Sequence, residues 1–276
     1  DGWRQLTEAD GLGLESNVIN QIFQAQNGDI WIGHTRGIQR FNGLFEESSD
    51  RYGSFDNLSE LPSGQILARR TLVDNGIREI VLFNGVEWAE PDFLAENNIN
   101  PLSTIQLSVL SDDKIWLVTN KGLLSFNGQE WELYDDSDFL PRWLVKTDDG
   151  RFWSQNWREK LLVFDGQKWT SEFDLDYLVR IALATSNGQI LLGTNKGLFR
   201  YEPESNTLTD LQLSSAKILQ IYQTPNRQIW VCTDQGLYQL VDDEWKLSLA
   251  DQEVKLVKQI YDDQIWAATN QGLYRL

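Results

Sequence analysis

The sequence of 276 residues has no methionine, one cysteine (Cys232), one histidine (His34) and six prolines. A lone thiol closes no internal disulfide, and one imidazole beside one thiol cannot assemble a Cys/His zinc cluster, so no structural metal is expected. Positive charge is scarce too: 24 Lys and Arg face 41 Asp and Glu, a net charge of −17. That field opposes phosphate, so neither nucleic acid nor an anionic membrane surface is an expected partner. No apolar run approaches the roughly 18 residues of a membrane span, and no direct membrane insertion by this chain is expected. No Gly-x-Ser-x-Gly, phosphate loop or His-Glu-x-x-His is present, so no enzyme activity and no cofactor are expected. Starting at Asp1 without methionine, the chain reads as a processed or excised piece; a mature exported protein and a part cut from a longer one fit equally.

What is present is a repeat. Ten of the twelve tryptophans recur in register. Gly28-Asp29-Ile30-Trp31, Asp113-Lys114-Ile115-Trp116, Gly150-Arg151-Phe152-Trp153, Arg227-Gln228-Ile229-Trp230 and Asp263-Gln264-Ile265-Trp266 share one frame, with leucine at the fourth place in Gly64–Leu67 and Gly188–Leu191. Successive anchors at 31, 67, 116, 153, 191, 230 and 266 lie 36, 49, 37, 38, 39 and 36 residues apart, the length of a unit of four short strands. Glycine follows six residues after the anchor at Gly37, Gly122, Gly197, Gly236 and Gly272, where a tight turn calls for positive φ. Asn42-Gly43, Asn84-Gly85, Asn127-Gly128 and Asp165-Gly166 are hairpin signals ahead of a fourth strand. A four-stranded unit cannot bury both its faces alone, so seven units predict an all-β, seven-bladed β-propeller. The last unit stops after its third strand at Leu276, while residues 1–7 read as an orphaned fourth strand. The N-terminus is therefore expected to complete the last blade, making residues 1–276 a single domain.

These units resemble the two-component-regulator propeller repeat, Gly-Leu-x-x-x-x-Val-x-x-Ile followed by Gly-x-Ile-Trp-Ile-Gly-Thr and Gly-Leu-x-Arg-Phe-x-Gly. Here it reads Gly13-Leu14 to Ile22, Gly28 to His34 and Gly37 to Gly43, with similar matches in units three, five, six and seven. The resemblance implies an extracytoplasmic, periplasmic or extracellular, sensor region of a bacterial signalling protein. Some relatives respond to oligosaccharides, so it implies a small-molecule or oligosaccharide ligand and non-catalytic binding. None of the family's later modules is in the sequence. A protein-interaction scaffold is the alternative, with a protein partner on the acidic rim; the ligand reading expects a monomer. A propeller lyase of the streptogramin-cleaving kind is a third reading, disfavoured because such enzymes use histidine and magnesium and only His34 is present.

Ligand-binding candidates are the residues that break the repeat. Five tryptophans fall at the anchor and five (Trp3, Trp88, Trp131, Trp169 and Trp245) on the fourth strand, all expected in the core. Trp143 and Trp157 fit neither column. They are expected to emerge on one face beside Arg142 and Arg158, where indoles stack on sugar rings and guanidinium forks hold hydroxyls or a uronate; Trp143 filling space beneath a loop is the competing reading. In unit two, Arg69-Arg70-Thr71-Leu72-Val73-Asp74-Asn75-Gly76 replaces the short turn and Arg78 follows, a local reversal of the acidic field unless carboxylates pair with the three arginines. His34 stands where other units have Thr119, Thr194, Thr233 and Thr269, at the end of a strand near the channel mouth, as a ligand contact or a hydrogen-bonding residue. The Asp pairs at 112–113, 148–149, 242–243 and 262–263 are read as turn formers rather than calcium ligands, and Cys232 as a small buried hydrophobe.

Overall fold

The computed structural model describes residues 2–41, 44–46, 53–61, 63–96, 104–109, 114–119, 122–127, 130–134, 139–213, 217–242, 244–260 and 264–276. Gly43, Gly128 and the Asp pairs at 112–113 and 262–263 lie outside these residues, as does Asp243. The described chain forms seven antiparallel sheets in sequence order. Their second strands are Ile30–His34, Ile66–Leu72, Ile115–Thr119, Phe152–Gln155, Ile190–Thr194, Ile229–Thr233 and Gln264–Thr269. Six sheets have four strands; the first has three, with an isolated bridge between Phe41 and Phe45 at the edge where a fourth would lie. Arg4–Leu6 pairs with Leu273–Arg275, Arg4 opposite Arg275 and Leu6 opposite Leu273, so the N-terminal strand completes the last sheet. The fold class is the seven-bladed β-propeller.

Why these residues form these strands is visible in the second strand of each sheet. Ile-Trp-Ile-Gly-His and Ile-Leu-Leu-Gly-Thr are buried along their whole length, which matches a near-continuous apolar run rather than strict alternation. The turns obey the expected chemistry. Asn84 Oδ1 accepts the N–H groups of Val86 and Glu87, and Asp165 Oδ1 those of Gln167 and Lys168, each fixing its hairpin through its own backbone. In the pair at 148–149, Asp149 accepts from Thr147 Oγ1 and from the N–H of Arg151, a turn former. Gly272 has φ 133°, and a Cβ there would meet the Leu6 carbonyl oxygen at 2.5 Å, so only glycine admits the closing strand.

By packing, the chain divides into two compact units, one of residues 1–3 with 136–267 and the other of 4–135 with 268–276. In the first, one cluster gathers Trp143, Trp153, Leu161, Val179, Ile190 and Tyr201, and a second gathers Leu191, Leu198, Ile218, Ile221 and Val231. In the other unit, Trp31, Ile38, Phe55 and Val81 form one cluster, and Leu67, Ile80, Leu94, Leu117 and Leu124 another. Two short elements were not foreseen: a 3-10 turn at Glu8–Asp10, and the helix Asp92–Glu96 in the long 49-residue spacing between the anchors at 67 and 116.

Candidate functional site

The turn that ends the second strand is built the same way in four sheets. Thr119, Thr194, Thr233 and Thr269 each donate Oγ1–H to the carbonyl of the glycine three residues on, all at 2.9 Å. In three of them the hydroxyl also accepts the N–H two residues on, from Lys196, Gln235 and Gln271. His34 does this work with a different group. Its Nδ1 accepts the Arg36 N–H at 3.1 Å, and the ring is fully buried at 0 % exposure. With Nδ1 accepting, the proton sits on Nε2, and a side-chain hydrogen bond links the ring to Gln39. Burial lowers the His34 pKa to about 4, against the smaller raising effects of Glu15 and that hydrogen bond. The imidazole is therefore neutral and closes a turn.

Arg69 and Arg70 occupy the same stretch of sheet two, and their location corrects the expectation of a replaced turn. The strand continues to Leu72, with Arg70 opposite Glu79 and Thr71 opposite Arg78, and the turn falls at 73–76. Glycine and threonine are missing from this position, so nothing ends the ladder there and the hairpin grows outward. Both arginines are paired, as the competing reading held. Arg69 forks onto Asp56, Nε to Oδ1 at 2.6 Å and Nη2 to Oδ2 at 2.9 Å. Arg70 holds Glu79 at 2.5 Å. Arg78 is exposed beyond them.

In sheet four the turn position belongs to Asn156, whose Oδ1 accepts the N–H groups of Arg158 and Lys160 at 3.0 Å. That turn lifts the next residue into solvent: Trp157 is 61 % exposed. Trp143, by contrast, is 3 % exposed inside the core, two residues before the strand Val145–Lys146, so the two indoles do not emerge together. It supports the segment that carries Arg142. The Arg142 guanidinium carbon lies 4.1 Å from the centroid of the Trp157 ring, a cation–π contact covering one indole face. The Arg142 N–H is held by Ser154 Oγ at 3.2 Å.

Sequence reasoning missed one cation here. Gln155 is buried and reaches the next sheet, its Oε1 accepting from the Val179 N–H at 2.8 Å and its Nε2 donating to the Tyr177 carbonyl at 2.9 Å. The clamp fixes the start of the strand Val179–Ala184, where the register skips between Val179 and Ile181 and leaves Arg180 exposed on the bulge. Arg142 feels it. Burial is the first cause that lowers the Arg142 pKa and the Arg180 charge the second, with Glu159 opposing both. Among the described residues neither Arg142 nor Arg180 forms an ion pair, and the same holds for the exposed Arg158. A signal existed in the repeat, because Asn20 and Leu219 occupy the matching bulges and arginine stands out in that column. Among the described residues no three His, Cys, Asp or Glu side chains gather where a metal ion would need them. No helix among them is long and apolar enough to cross a membrane.

Residues 13–36 match the family model described as two component regulator propeller, so the resemblance read from that repeat is shown there. No curated protein is similar enough in sequence to be matched. Among solved structures, the extracellular domain of BT4673 from B. thetaiotaomicron aligns with TM-score 0.76 and 17 % identity, over 99 % of this chain and 39 % of that one. The extracellular domain of BT3049 from the same bacterium, described as a hybrid two component system, gives 0.76 and 18 %, over 99 % and 41 %. The present chain thus spans about two fifths of their length. Virginiamycin B lyase from Staphylococcus aureus gives 0.69 and 11 %, over 99 % and 97 %. Identities this low establish the shared propeller fold and no more.

Proposed function

We propose that this chain is a non-catalytic sensing propeller, acting outside the cytoplasm, that binds an acidic oligosaccharide at Arg142, Trp157, Arg158 and Arg180. One observation carries the reading: in a molecule of net charge −17, Arg142 lies over an exposed indole and feels the Arg180 charge, and among the described residues neither guanidinium forms an ion pair. The Arg142 and Arg180 charges repel each other, with Glu159 opposing at Arg142, and an anion that bridges the two guanidiniums relieves the repulsion. The free face of Trp157 offers the C–H-rich face of a sugar ring a flat apolar surface, while the guanidinium forks match a carboxylate or sulfate. His34, Arg69 and Arg70 take structural roles in this reading, and Trp143 acts beneath the site rather than in it. Residues 1–276 act as one domain. The extracytoplasmic setting is supported by the likeness to extracellular domains of bacterial signalling proteins.

A thermal-shift screen with uronic-acid and sulfated oligosaccharides, set against neutral ones of equal length, tests the reading. Acidic ligands are expected to raise the melting temperature and Trp157→Ala to remove the effect. Shifts that survive Trp157→Ala, or that neutral sugars produce equally, contradict it.

A further inference from the structure

The anchor of the repeat is tryptophan in five sheets and leucine in two, at Leu67 and Leu191. At Trp31 and Trp153 the indole packs against rings of the following sheet. Trp31 lies 5.3 Å from Phe83 and 6.3 Å from Trp88, and Trp153 lies 5.6 Å from Tyr201. A leucine leaves that space short of a ring. At Leu67 the chain makes up the loss itself: Phe93 of the helix Asp92–Glu96 stacks on Trp131, centroids 3.9 Å apart, and Leu94 is buried in one cluster with Leu67.

Beside Leu191 no such insertion is found among the described residues, and a cavity of about 620 Å³ opens. Its apolar part is Leu191, Leu211, Ile229, Leu240 and Trp245, and Arg200 and Glu244 are among its polar lining. The matching space beside Trp31, Ile66, Phe83 and Arg40 measures about 290 Å³. Trp245 is the counterpart of Trp88 and Trp131 on the fourth strand, yet among the described residues no ring stacks on it; its Nε1 donates to the Leu211 carbonyl at 3.1 Å.

We propose that this cavity is a second binding site, for a planar aromatic ring bearing an N–H or O–H donor, stacked on Trp245 as Phe93 stacks on Trp131. The lining sets the charge of the ligand. Glu202 Oε1 faces Arg200 Nε at 3.1 Å and accepts from Gln189 Nε2 at 3.3 Å, so the cation already has its counter-charge. Glu244 has no partner among the described residues, and its carboxylate is the acceptor for the ring donor. A neutral or cationic ring fits; an anionic one meets the unpaired carboxylate. The site lies at the opposite end of the strand Ile190–Thr194 from the turn that follows Thr194, and it is independent of the arginine site. A free small molecule and an aromatic side chain of a peptide share the required chemistry.

Calorimetry and saturation-transfer NMR with the full chain test it, using indole, indole-3-carboxylate and N-acetyl-tryptophanamide as probes. Indole is expected to saturate the protein with Kd on the order of 1 mM, the range of a ligand of few atoms, and indole-3-carboxylate to bind about threefold to fivefold more weakly. Binding of the amide comparable to indole assigns the site to a peptide side chain, and its failure to bind assigns it to a free molecule. Leu191→Trp restores the residue found in five other sheets and is expected to abolish indole binding. Glu244→Gln, at an exposed position, is expected to weaken it about fivefold, the loss of one charge-assisted hydrogen bond. No saturation by indole at about ten times that Kd, or an affinity unchanged in both variants, overturns the proposal.

Discussion

Single side chains show how one backbone turn accepts different chemistry. A threonine hydroxyl closes it in four sheets and the His34 ring nitrogen in another. The exchange has a consequence for pH. The His34 pKa of about 4 in the folded chain lies below the ordinary value near 6.5, so between those limits the unfolded chain binds more protons and stability rises with pH. The contribution is complete above pH about 6.5 and is lost as the pH falls toward 4, with about 3 kcal/mol at stake. His34→Thr keeps the turn and removes the titration. Urea unfolding at several values between pH 7 and pH 4 is expected to show a flatter profile for the variant than for the native chain; parallel profiles would mean that the ring is not buried neutral. The sequence column marked His34 as unusual without showing burial, because position in a repeat says which turn a residue serves and not what packs over it. Arg69 and Arg70 differ in the same way, since their carboxylate partners, Asp56 and Glu79, sit on neighbouring strands rather than in a local motif.

Among the elements, the strands and their turns were legible because the apolar run, the anchor and the turn residues agree in most units. The helix Asp92–Glu96 was not: five residues without a full amphipathic period leave no readable pattern. Its role follows from packing, as it fills the space beside Leu67. Leu94 is fully buried, and Leu94→Ala is expected to cost about 3 kcal/mol in denaturant unfolding, the loss of a buried leucine plus its cavity. A cost below about 1 kcal/mol would show the helix to be dispensable packing. The proposed site was half legible. Trp157 stood out by register, with Arg142 and Arg158 as neighbours of the two off-register tryptophans, but Arg180, whose charge acts on Arg142, is set by the Gln155 clamp and a β-bulge, and both are properties of paired strands. Trp143 stood out equally and proved to be core, since an off-register tryptophan announces irregular packing and does not say on which side the indole lies.

For the molecule as a whole, the first strand of the chain is hydrogen-bonded to the last, and the net charge of −17 works against any anionic ligand. The proposed binding of an acidic oligosaccharide therefore depends on a local reversal of sign, supplied by arginines that form no ion pair among the described residues. Arg180 is the sharpest handle on that reversal because it is exposed, lies on a bulge and makes no ion pair among the described residues. The direct measurement is a calorimetric titration of an acidic oligosaccharide identified by the thermal-shift screen, into the native chain and into Arg180→Glu, at low and at high salt. Affinity is expected to fall at least about tenfold in the variant and to weaken with salt in the native chain. Equal affinity of the two proteins, insensitive to salt, would contradict recognition at Arg142, Trp157 and Arg180.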